Sequence, residues 1–340
     1  MADLRLPTTD AFLNIAVEEY LLDRAGELGP TLLLWRNRPC VVIGRHQNPW
    51  VECDLRAMRA DALPLVRRIS GGGAVYHDEG NTNFSFIAPA GVYDQERHFR
   101  VVIAALASLG IDAWKTERND LRVGERKVSG NAFRHSKGNS LHHGTLLVHA
   151  DLERLIAYLA SSGALIETKA TASVRSRVVN LSETRPGLTH DELCTALEEA
   201  FRDEYRDAKP PAGEQGRSRL DLQRLAGLPA VRERAAELGS WGWVYGHTPA
   251  FVRRLALPGA AGGAGAGRTA AEASPGEIAI AVRKGLIASI GVPADSPPDP
   301  RVDAAREALV GLRYERETIR AAAPEGRTGE LVRYIAEEVD

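Results

Sequence analysis

The sequence predicts an α+β fold in which helices flank a mixed, largely antiparallel sheet. Short apolar runs rich in β-branched residues alternate with segments whose apolar residues have helical spacing. Glycine- and proline-containing turns separate several of the short runs by only a few residues, which favours antiparallel neighbours. A glycine- and alanine-rich stretch at residues 258–267 precedes a smaller segment of the same mixed type. We therefore expect a large domain followed by a small α+β domain.

The N-terminal part predicts one helix and a hairpin. The helix has its apolar side chains on one face: Leu13, Ala16, Val17, Tyr20 and Leu21. Thr9 or Asp10 can supply the oxygen that caps it. Residues 31–36 and 40–44 are short apolar runs on either side of Asn37, Arg38 and Pro39, a pattern that predicts a hairpin.

The central part predicts strands around a run of glycines, a crossing helix and a second hairpin. Expected strands are residues 63–69, 74–77, 82–87, 120–123, 127–133 and 141–149. The helix covers residues 93–109 and ends at Gly110. Gly124 and Glu125 form the turn of the second hairpin.

The C-terminal part predicts further helices and then the small domain. Helices are expected at residues 151–159, 189–205 and 229–238, and Thr189 with Glu192 has the spacing of a capping box. Beyond the glycine-rich stretch, strands are expected at 277–282 and 286–290 and helices at 301–312 and 328–339. The predicted limits are a catalytic domain at 1–252, a linker at 253–270 and an accessory domain at 271–340.

Composition excludes several classes of protein. The 340 residues are 44% hydrophobic without an apolar run long enough to span a membrane, so we expect no membrane role. Because 43 basic residues are balanced by 45 acidic ones, no bulk positive charge is available to bind nucleic acid. Three widely spaced cysteines and an N-terminus without a secretory pattern indicate a reducing, cytoplasmic location. We expect a monomer.

The densest group of chemically capable residues is the glycine motif RRISGGGAVYHDEGN at residues 67–81. Three adjacent glycines let main-chain amides approach phosphate oxygens, and Arg68 can add a contact to phosphate or carboxylate. The alternative is an ordinary glycine turn beside a solvated arginine. No helix clearly follows the glycines, so the pattern is neither a P-loop nor a Rossmann fingerprint.

Lys127 lies in NDLRVGERKVSGNAF, residues 119–133. A lysine that faces a pocket can neutralise charge developing on a phosphate, although an isolated lysine is usually a surface residue. Asn119 and Asp120 could offer oxygens to a magnesium ion that a nucleotide carries in.

Other polar residues admit two interpretations. His77 and Asp78 are neighbours on a strand and point to opposite faces, so we expect scaffold roles and no shared metal ion. His142 and His143 fail the metal test for the same reason, and we expect no structural metal. The segment KATASVRSRVVNL at residues 169–181 is either a solvated loop or a loop that orders over an anion.

Taken together, five motifs resemble the bacterial lipoate-protein ligase family in that family's order. They are the glycine motif, the Lys127 motif, LHHGTLLVHADL, SVRSRVVNL and SWGWVYGHTPAF. The resemblance covers residues 4–251 and continues more weakly beyond. It implies the lipoate and biotin ligase fold and an ATP-dependent, magnesium-dependent reaction. Lipoate and ATP form lipoyl-adenylate and pyrophosphate, and an acceptor lysine then attacks the adenylate.

The resemblance also implies roles for individual residues. The implied ATP contacts are Arg68, Gly73, Ala74, Val75, Tyr76 and Lys127. Lys127, as the catalytic residue, would also contact lipoate, together with Gly72 and His77. Asn119 and Asp120 remain possible magnesium or adenylate contacts. Implied partners are lipoic acid or octanoate, lipoyl domains of 2-oxoacid dehydrogenase E2 subunits, and glycine cleavage H protein.

Two rival hypotheses remain. An octanoyltransferase of the same fold needs a nucleophilic cysteine near the lysine, and none of the three cysteines lies between Lys127 and Asn180. A non-catalytic module that binds an adenylate or a lipoyl domain is the second rival. Biotin ligase fits less well because its arginine-rich glycine motif is not the one found here. The sequence does not decide between lipoate and octanoate.

Overall fold

The computed structural model describes residues 2–159, 165–174, 176–207, 221–258, 276–293 and 298–339. Its strands are β1 (Ala2–Arg5), β2 (Thr31–Trp35), β3 (Cys40–Ile43), β4 (Leu65–Arg67), β5 (Val75–His77), β6 (Asn81–Pro89), β7 (Ala113–Lys115), β8 (Leu121–Val123), β9 (Arg126–Ser129), β10 (Asn131–Ser136), β11 (Asn139–Leu147), β12 (Ile166–Thr168), β13 (Phe251–Ala256), β14 (Glu277–Arg283) and β15 (Leu286–Gly291).

Its helices are α1 (Ala11–Asp23), α2 (Ala25–Leu28), α3 (Pro49–Glu52), α4 (Leu55–Ala60), α5 (Gln95–Ser108), α6 (Leu152–Tyr158), α7 (Leu181–Thr184), α8 (His190–Glu204), α9 (Leu222–Ala226), α10 (Pro229–Leu238), α11 (Trp241–Val244), α12 (Pro300–Leu309), α13 (Arg316–Ala321) and α14 (Gly326–Glu337). The α+β class is confirmed, because helices and mostly antiparallel strands recur along the chain. The capping box at Thr189 and Glu192 is confirmed at the start of α8.

Contacts divide the chain into two compact units. Unit 1 comprises Met1–Arg45, Asp61–Leu159 and Ser173–Ser240, and unit 2 comprises His46–Ala60, Ala160–Ala172 and Trp241–Asp340. Unit 1 contains a five-stranded sheet in the order β1-β2-β6-β11-β10 and two three-stranded sheets, β4-β3-β5 and β7-β8-β9. Unit 2 contains the antiparallel sheet β12-β13-β14-β15 together with helices including α12, α13 and α14.

The core of unit 1 is formed by the large sheet and two helices. Buried side chains from β2, β6 and β11 pack against α5 and α8, among them Leu32, Phe84, Phe86, Phe99, Leu146 and Phe201. Burial of this apolar surface is the main favourable contribution to folding. The five-stranded sheet is therefore held in place by its packing against α5 and α8.

The predicted hairpin of residues 31–36 and 40–44 is wrong. Strand β2 pairs with β1 and β6, whereas β3 pairs with β4 and β5 in a separate sheet. The connecting residues turn inward: Asn37 is fully buried, and its side-chain oxygen accepts a hydrogen bond of 2.9 Å from Asn14 Nδ2. The chain is thereby redirected from one sheet into another. The segment Asn37-Arg38-Pro39 also lacks a glycine for a tight hairpin turn.

The predicted domain limits stay a prediction. Strand β13 spans residue 252, and it pairs in register with β14 of the same sheet. Most of the glycine- and alanine-rich stretch lies at 259–275, outside the described residues. In the described part of the chain, no helix is long and apolar enough to cross a membrane.

Candidate functional site

The glycine motif forms a tight loop between β4 and β5, hereafter the glycine loop (residues 68–74). Gly72 has a φ of +85°, a conformation that only glycine adopts readily. Gly44 lies directly beneath, because a Cβ built on it would be 2.2 Å from the carbonyl oxygen of Gly72. Two separate glycines, one before and one within the motif, are therefore required for this loop shape.

Three carbonyl groups of the glycine loop, those of Ile69, Gly71 and Gly73, accept hydrogen bonds from arginine side chains. Arg68 Nη2 donates to Gly71 O at 2.6 Å and to Gly73 O at 2.7 Å, and its Nη1 donates to Val42 O at 3.2 Å. Arg134 Nη1 donates to Ile69 O at 2.7 Å. Arg68 is 6% exposed, and burial lowers the pKa of its guanidinium to about 10. The buried arginine thus fixes the loop from behind.

The main-chain amides of the same loop have the opposite orientation. Among the described residues, no acceptor is bonded to the amides of Gly71, Gly72 or Gly73. Successive amides of this kind, with a positive charge behind them, form an anion-binding concavity. The anion site that the glycine motif predicts would therefore be formed by the main-chain amides of Gly71, Gly72 and Gly73.

Lys127 lies on β9, in the antiparallel β8–β9 hairpin that the sequence predicts. Its Nζ is 2.8 Å from Asp120 Oδ1, and both side chains are partly buried. A register shift places Arg122 opposite Lys127 but Leu121 opposite Ser129, so β9 contains a bulge at this point. Bulges of this kind redirect side chains near functional sites.

Gly130 provides room for the Lys127 side chain. A Cβ at Gly130 would lie 3.3 Å from both Cε and Nζ of Lys127. The lysine side chain itself lies against this glycine. Next along β10, Ala132 faces the glycine loop, because a Cβ at Gly72 would be 3.4 Å from the Ala132 Cβ. The lysine motif and the glycine motif are therefore neighbours in the fold.

The segment after residue 172 joins the two motifs. Ser173 Oγ accepts a hydrogen bond of 2.9 Å from the Ala74 amide. Further along, the Lys127 amide donates to Arg177 O at 2.8 Å, and the Val179 amide donates to Lys127 O at 3.0 Å. The segment thus contacts both motifs, and its ordering over an anion stays a prediction. Arg175 lies outside the described residues.

Asn119 and Asp120 occupy different environments. Asn119 has a φ of +63°, its Oδ1 accepts from Gln95 Nε2 at 3.0 Å, and its carbonyl accepts from Asn131 Nδ2 at 2.8 Å. Asp120 instead directs its carboxylate at Lys127. Asn131, which sequence reasoning missed, thus fixes the turn that presents Asp120. The feature of the sequence that could have identified Asn131 is its polar side chain directly after Gly130.

The residues after the glycine loop alternate between two environments. Val75 is half-buried, and Tyr76 packs against Tyr158 of α6 with ring centroids 5.7 Å apart. Burial raises the pKa of Tyr76 to about 12. Because Tyr76 is only 1% exposed, an implied ATP contact would use its main chain more readily than its hydroxyl.

His77 is buried, and its Nδ1 lies 3.0 Å from Asn37 Nδ2. Burial lowers its pKa to about 3, so the ring is neutral at physiological pH. Asp78 accepts hydrogen bonds of 2.8 Å from the amides of Gly80 and Asp151. These contacts place Asp78 in the scaffold, as the sequence suggested, and hold His77 as a hydrogen-bonding residue.

All three cysteines, Cys40, Cys53 and Cys194, are buried thiols. Burial raises the pKa of the Cys40 and Cys194 thiols to about 12. A nucleophilic thiol needs the opposite, a lowered pKa and access to substrate. The expectation that the cysteines are buried apolar residues is confirmed.

Comparison with known proteins identifies several similar chains. Residues 10–202 match the lipoyl protein ligase A/B catalytic domain family. The chain is 38% identical over 322 residues to lipoate-protein ligase A of Psychrobacter cryohalolentis, covering 94% of this chain and 90% of that protein.

Two solved structures are also similar. One is LipL1 of P. falciparum in complex with lipoate, with 25% identity, a TM-score of 0.62 and 99% coverage of both chains. The other is a lipoate-protein ligase A bound with ATP, with 28% identity, a TM-score of 0.57, and coverage of 72% of this chain and 98% of that chain. The similarity to the first structure extends over both units.

Proposed function

Because the chain belongs to the lipoyl protein ligase A/B catalytic domain family, we propose that it is an ATP-dependent lipoate-protein ligase with its adenylating centre at the glycine loop and Lys127. The observation that carries the site assignment is the position of Ala132, whose Cβ lies 3.4 Å from where a Cβ on Gly72 would be, together with the hydrogen bonds of Ser173, Arg177 and Val179 to the two motifs. These contacts support a site in which the amides of the glycine loop and the ammonium of Lys127 act together.

In the first step, a carboxylate oxygen of lipoate attacks the α-phosphorus of ATP, and the bond to the β-phosphate oxygen breaks. The products are lipoyl-adenylate and pyrophosphate. Two anions must approach each other, so positive groups must offset their repulsion. Lys127 and the amides of Gly71 to Gly73 can supply this stabilisation without rearrangement of the loop. Arg68 contributes its charge from behind and keeps the loop in shape.

We keep the contacts with ATP and lipoate that the family resemblance implies for Gly72, Gly73, Ala74, Val75, Tyr76 and Lys127, with one physical refinement. Gly72 and Gly73 offer amides, whereas the Ala74 amide is already bonded to Ser173. His77 is held by Asn37, so a lipoate contact would use its Nε2, which has no partner among the described residues. These assignments are proposals that substitution can test.

Magnesium is proposed to arrive with the nucleotide. Across the described residues, no group of three or more His, Cys, Asp or Glu side chains could hold a resident ion. Nucleotide-bound magnesium needs only one or two protein carboxylates in addition to phosphate oxygens. Asp120 fits this requirement, while Asn119 has its Oδ1 occupied by Gln95. The ion would offset phosphate charge in the adenylation step.

In the second step, the neutral amine of an acceptor lysine attacks the acyl carbon, and AMP leaves. Adenylate is a good leaving group, so alignment of the amine should supply most of the acceleration. We propose lipoyl domains of 2-oxoacid dehydrogenase E2 subunits and glycine cleavage H protein as acceptors. We further propose a monomeric protein that acts in the cytoplasm, and octanoate as an alternative acyl substrate.

The decisive experiment is lipoate-dependent exchange of labelled pyrophosphate into ATP, followed by transfer of lipoate to a purified lipoyl domain. A ligase catalyses both and needs ATP and magnesium. A thioester transferase would instead modify the acceptor from octanoyl acyl carrier protein without ATP, a result that the buried cysteines argue against. A binding module would do neither.

A further inference from the structure

A chain of buried polar side chains runs from α1 to the back of the glycine loop. Glu18 and Ser85 are both 0% exposed, and Ser85 Oγ is 2.5 Å from Glu18 Oε1. His143 Nδ1 lies 2.8 Å from the same Glu18 oxygen. On its other side, His143 Nε2 lies 2.6 Å from Ser70 Oγ. Ser70 Oγ in turn accepts from Arg68 Nε at 3.1 Å.

The hydrogen atoms of this chain have one arrangement in which every hydroxyl and ring nitrogen is used. Arg68 has only donors, so Ser70 Oγ accepts from it and donates its own proton to His143 Nε2. His143 then carries its proton on Nδ1 and donates it to Glu18. The Ser85 hydroxyl also donates to Glu18. With a carboxylate at Glu18 and a neutral imidazole at His143, every hydroxyl and ring nitrogen of the chain has a partner, whereas Glu18 Oε2 has none among the described residues.

The two ends of the chain carry opposite charges. Burial lowers the pKa of Arg68, and the nearby Glu18 carboxylate is the one charge that opposes this effect. A buried charge without a partner is strongly unfavourable, and removal of one member of a buried pair leaves the other uncompensated. Arg68 also donates hydrogen bonds from Nη1 to the carbonyl of Val42 and from Nη2 to the carbonyls of Gly71 and Gly73.

We infer that Glu18, acting through His143 and Ser70, is a positioning residue that holds Arg68 against the loop carbonyls and so keeps the amides of Gly71 to Gly73 directed at the nucleotide. This inference rests on the proposed function for its kinetic consequence. Its structural part, the control of loop order, does not depend on that function. Glu18 is 50 residues or more from every member of the glycine loop in sequence, and no motif identifies it.

Glu18→Gln tests the inference with little change in size. The amide oxygen can still accept from His143 and Ser85, but the charge that compensates Arg68 is lost. We expect the KM for ATP in pyrophosphate exchange to rise about tenfold or more, the scale of a lost hydrogen-bonded charge. The KM for lipoate should stay within about twofold. Hydrogen–deuterium exchange in a peptide covering residues 69–75 should be faster than in the unmodified protein.

The matched control is Glu19→Gln. Glu19 is the adjacent residue, has a partly exposed side chain and pairs with Arg234 at 2.7 Å, outside this chain of hydrogen bonds. Its substitution should change neither the KM for ATP nor exchange at residues 69–75. A rise confined to the KM for lipoate in Glu18→Gln would overturn the inference, because the carboxylate would then serve the acyl site. The inference would also be overturned if Glu18→Gln changed neither the KM for ATP nor hydrogen–deuterium exchange at residues 69–75.

A double variant tests whether Glu18 acts through Arg68. If it does, Arg68→Gln and Glu18→Gln combined should raise the KM for ATP no more than Arg68→Gln alone. Multiplied effects would refute the connection. Should Glu18→Gln fail to fold, Ser70→Ala interrupts the same chain without a charge change and should produce the same two changes at smaller size. If the unmodified protein does not catalyse pyrophosphate exchange, the proposed function fails. The comparison of hydrogen–deuterium exchange at residues 69–75 still decides this inference.

Discussion

The glycine loop and the Lys127 hairpin present positive charge to the same place in different ways. The loop offers main-chain amides, and Arg68 behind it is buried and bonded to carbonyls. The hairpin offers a partly exposed ammonium held by one carboxylate, Asp120. A partly exposed ion pair contributes little to stability, so Lys127 can exchange Asp120 for a phosphate at small cost. Under the proposed function, the loop would act as a fixed receptor and the lysine as a group that moves to the substrate.

The largest effect is expected at Lys127, because no other described side chain on the hairpin can take its position beside Gly130. Lys127→Ala should reduce lipoate-dependent pyrophosphate exchange by about 100-fold to 1,000-fold, the usual cost of one electrostatic stabiliser. Arg126→Ala is the control, since the exposed Arg126 pairs with Glu183 at 2.9 Å. Ordinary exchange by a folded Lys127→Ala protein would contradict the site assignment.

A smaller effect is expected from a change beneath the fixed loop. Gly44→Ala introduces a methyl group 2.2 Å from the Gly72 carbonyl oxygen, so the main chain must shift. We expect a loss of stability of about 1–3 kcal/mol, as for other overpacked sites. The KM for ATP should rise while that for lipoate changes less. Gly91→Ala, with no atom within 4 Å of its added Cβ, should leave both values unchanged.

Asp120→Asn removes the charge that holds Lys127 and should have a more modest effect. A fall of about fivefold in exchange rate corresponds to the 1 kcal/mol upper range of a partly exposed pair. The magnesium concentration for half-maximal rate should rise at the same time if Asp120 contacts the ion. Glu125→Gln on the same hairpin is the control. A loss as large as that of Lys127→Ala would show that the lysine is not free to move.

The smallest effect is a change in pH dependence on the loop side of the site. Burial lowers the pKa of His77 to about 3, so the folded protein binds fewer protons than the unfolded chain below pH 6.5. Its contribution to stability is therefore complete above the unfolded pKa and decreases as the pH falls towards the folded pKa. Between pH 7 and 5.5 this amounts to about 1 kcal/mol.

Urea unfolding at the two pH values measures this term. His77→Gln should reduce the acid-induced loss of stability, whereas His149→Gln, at an exposed position, should not. Equal pH dependence in the three proteins would contradict a buried, neutral His77.

Sequence reasoning succeeded where the determining residues are close together in the chain. The α5 and α8 helices, the β8–β9 hairpin and the β14–β15 turn each depend on local apolar spacing, caps or glycines. The glycine motif and the Lys127 motif are recognisable for the same reason, because each is a short contiguous run, and their roles in a site stay a prediction. The hairpin of β2 and β3 was predicted wrongly, since the inward bond from Asn14 to Asn37 is a tertiary contact.

By itself, the sequence determined the α+β class and the resemblance to lipoate-protein ligases, and it indicated the glycine motif as a candidate anion site. Only the tertiary structure decided that Arg68 faces the loop carbonyls and that residues after 172 join the loop to Lys127. It also decided that Glu18 reaches His143, 125 positions away. Local patterns encode main-chain conformation, whereas buried partners are chosen by packing between distant segments, which no single run of residues records.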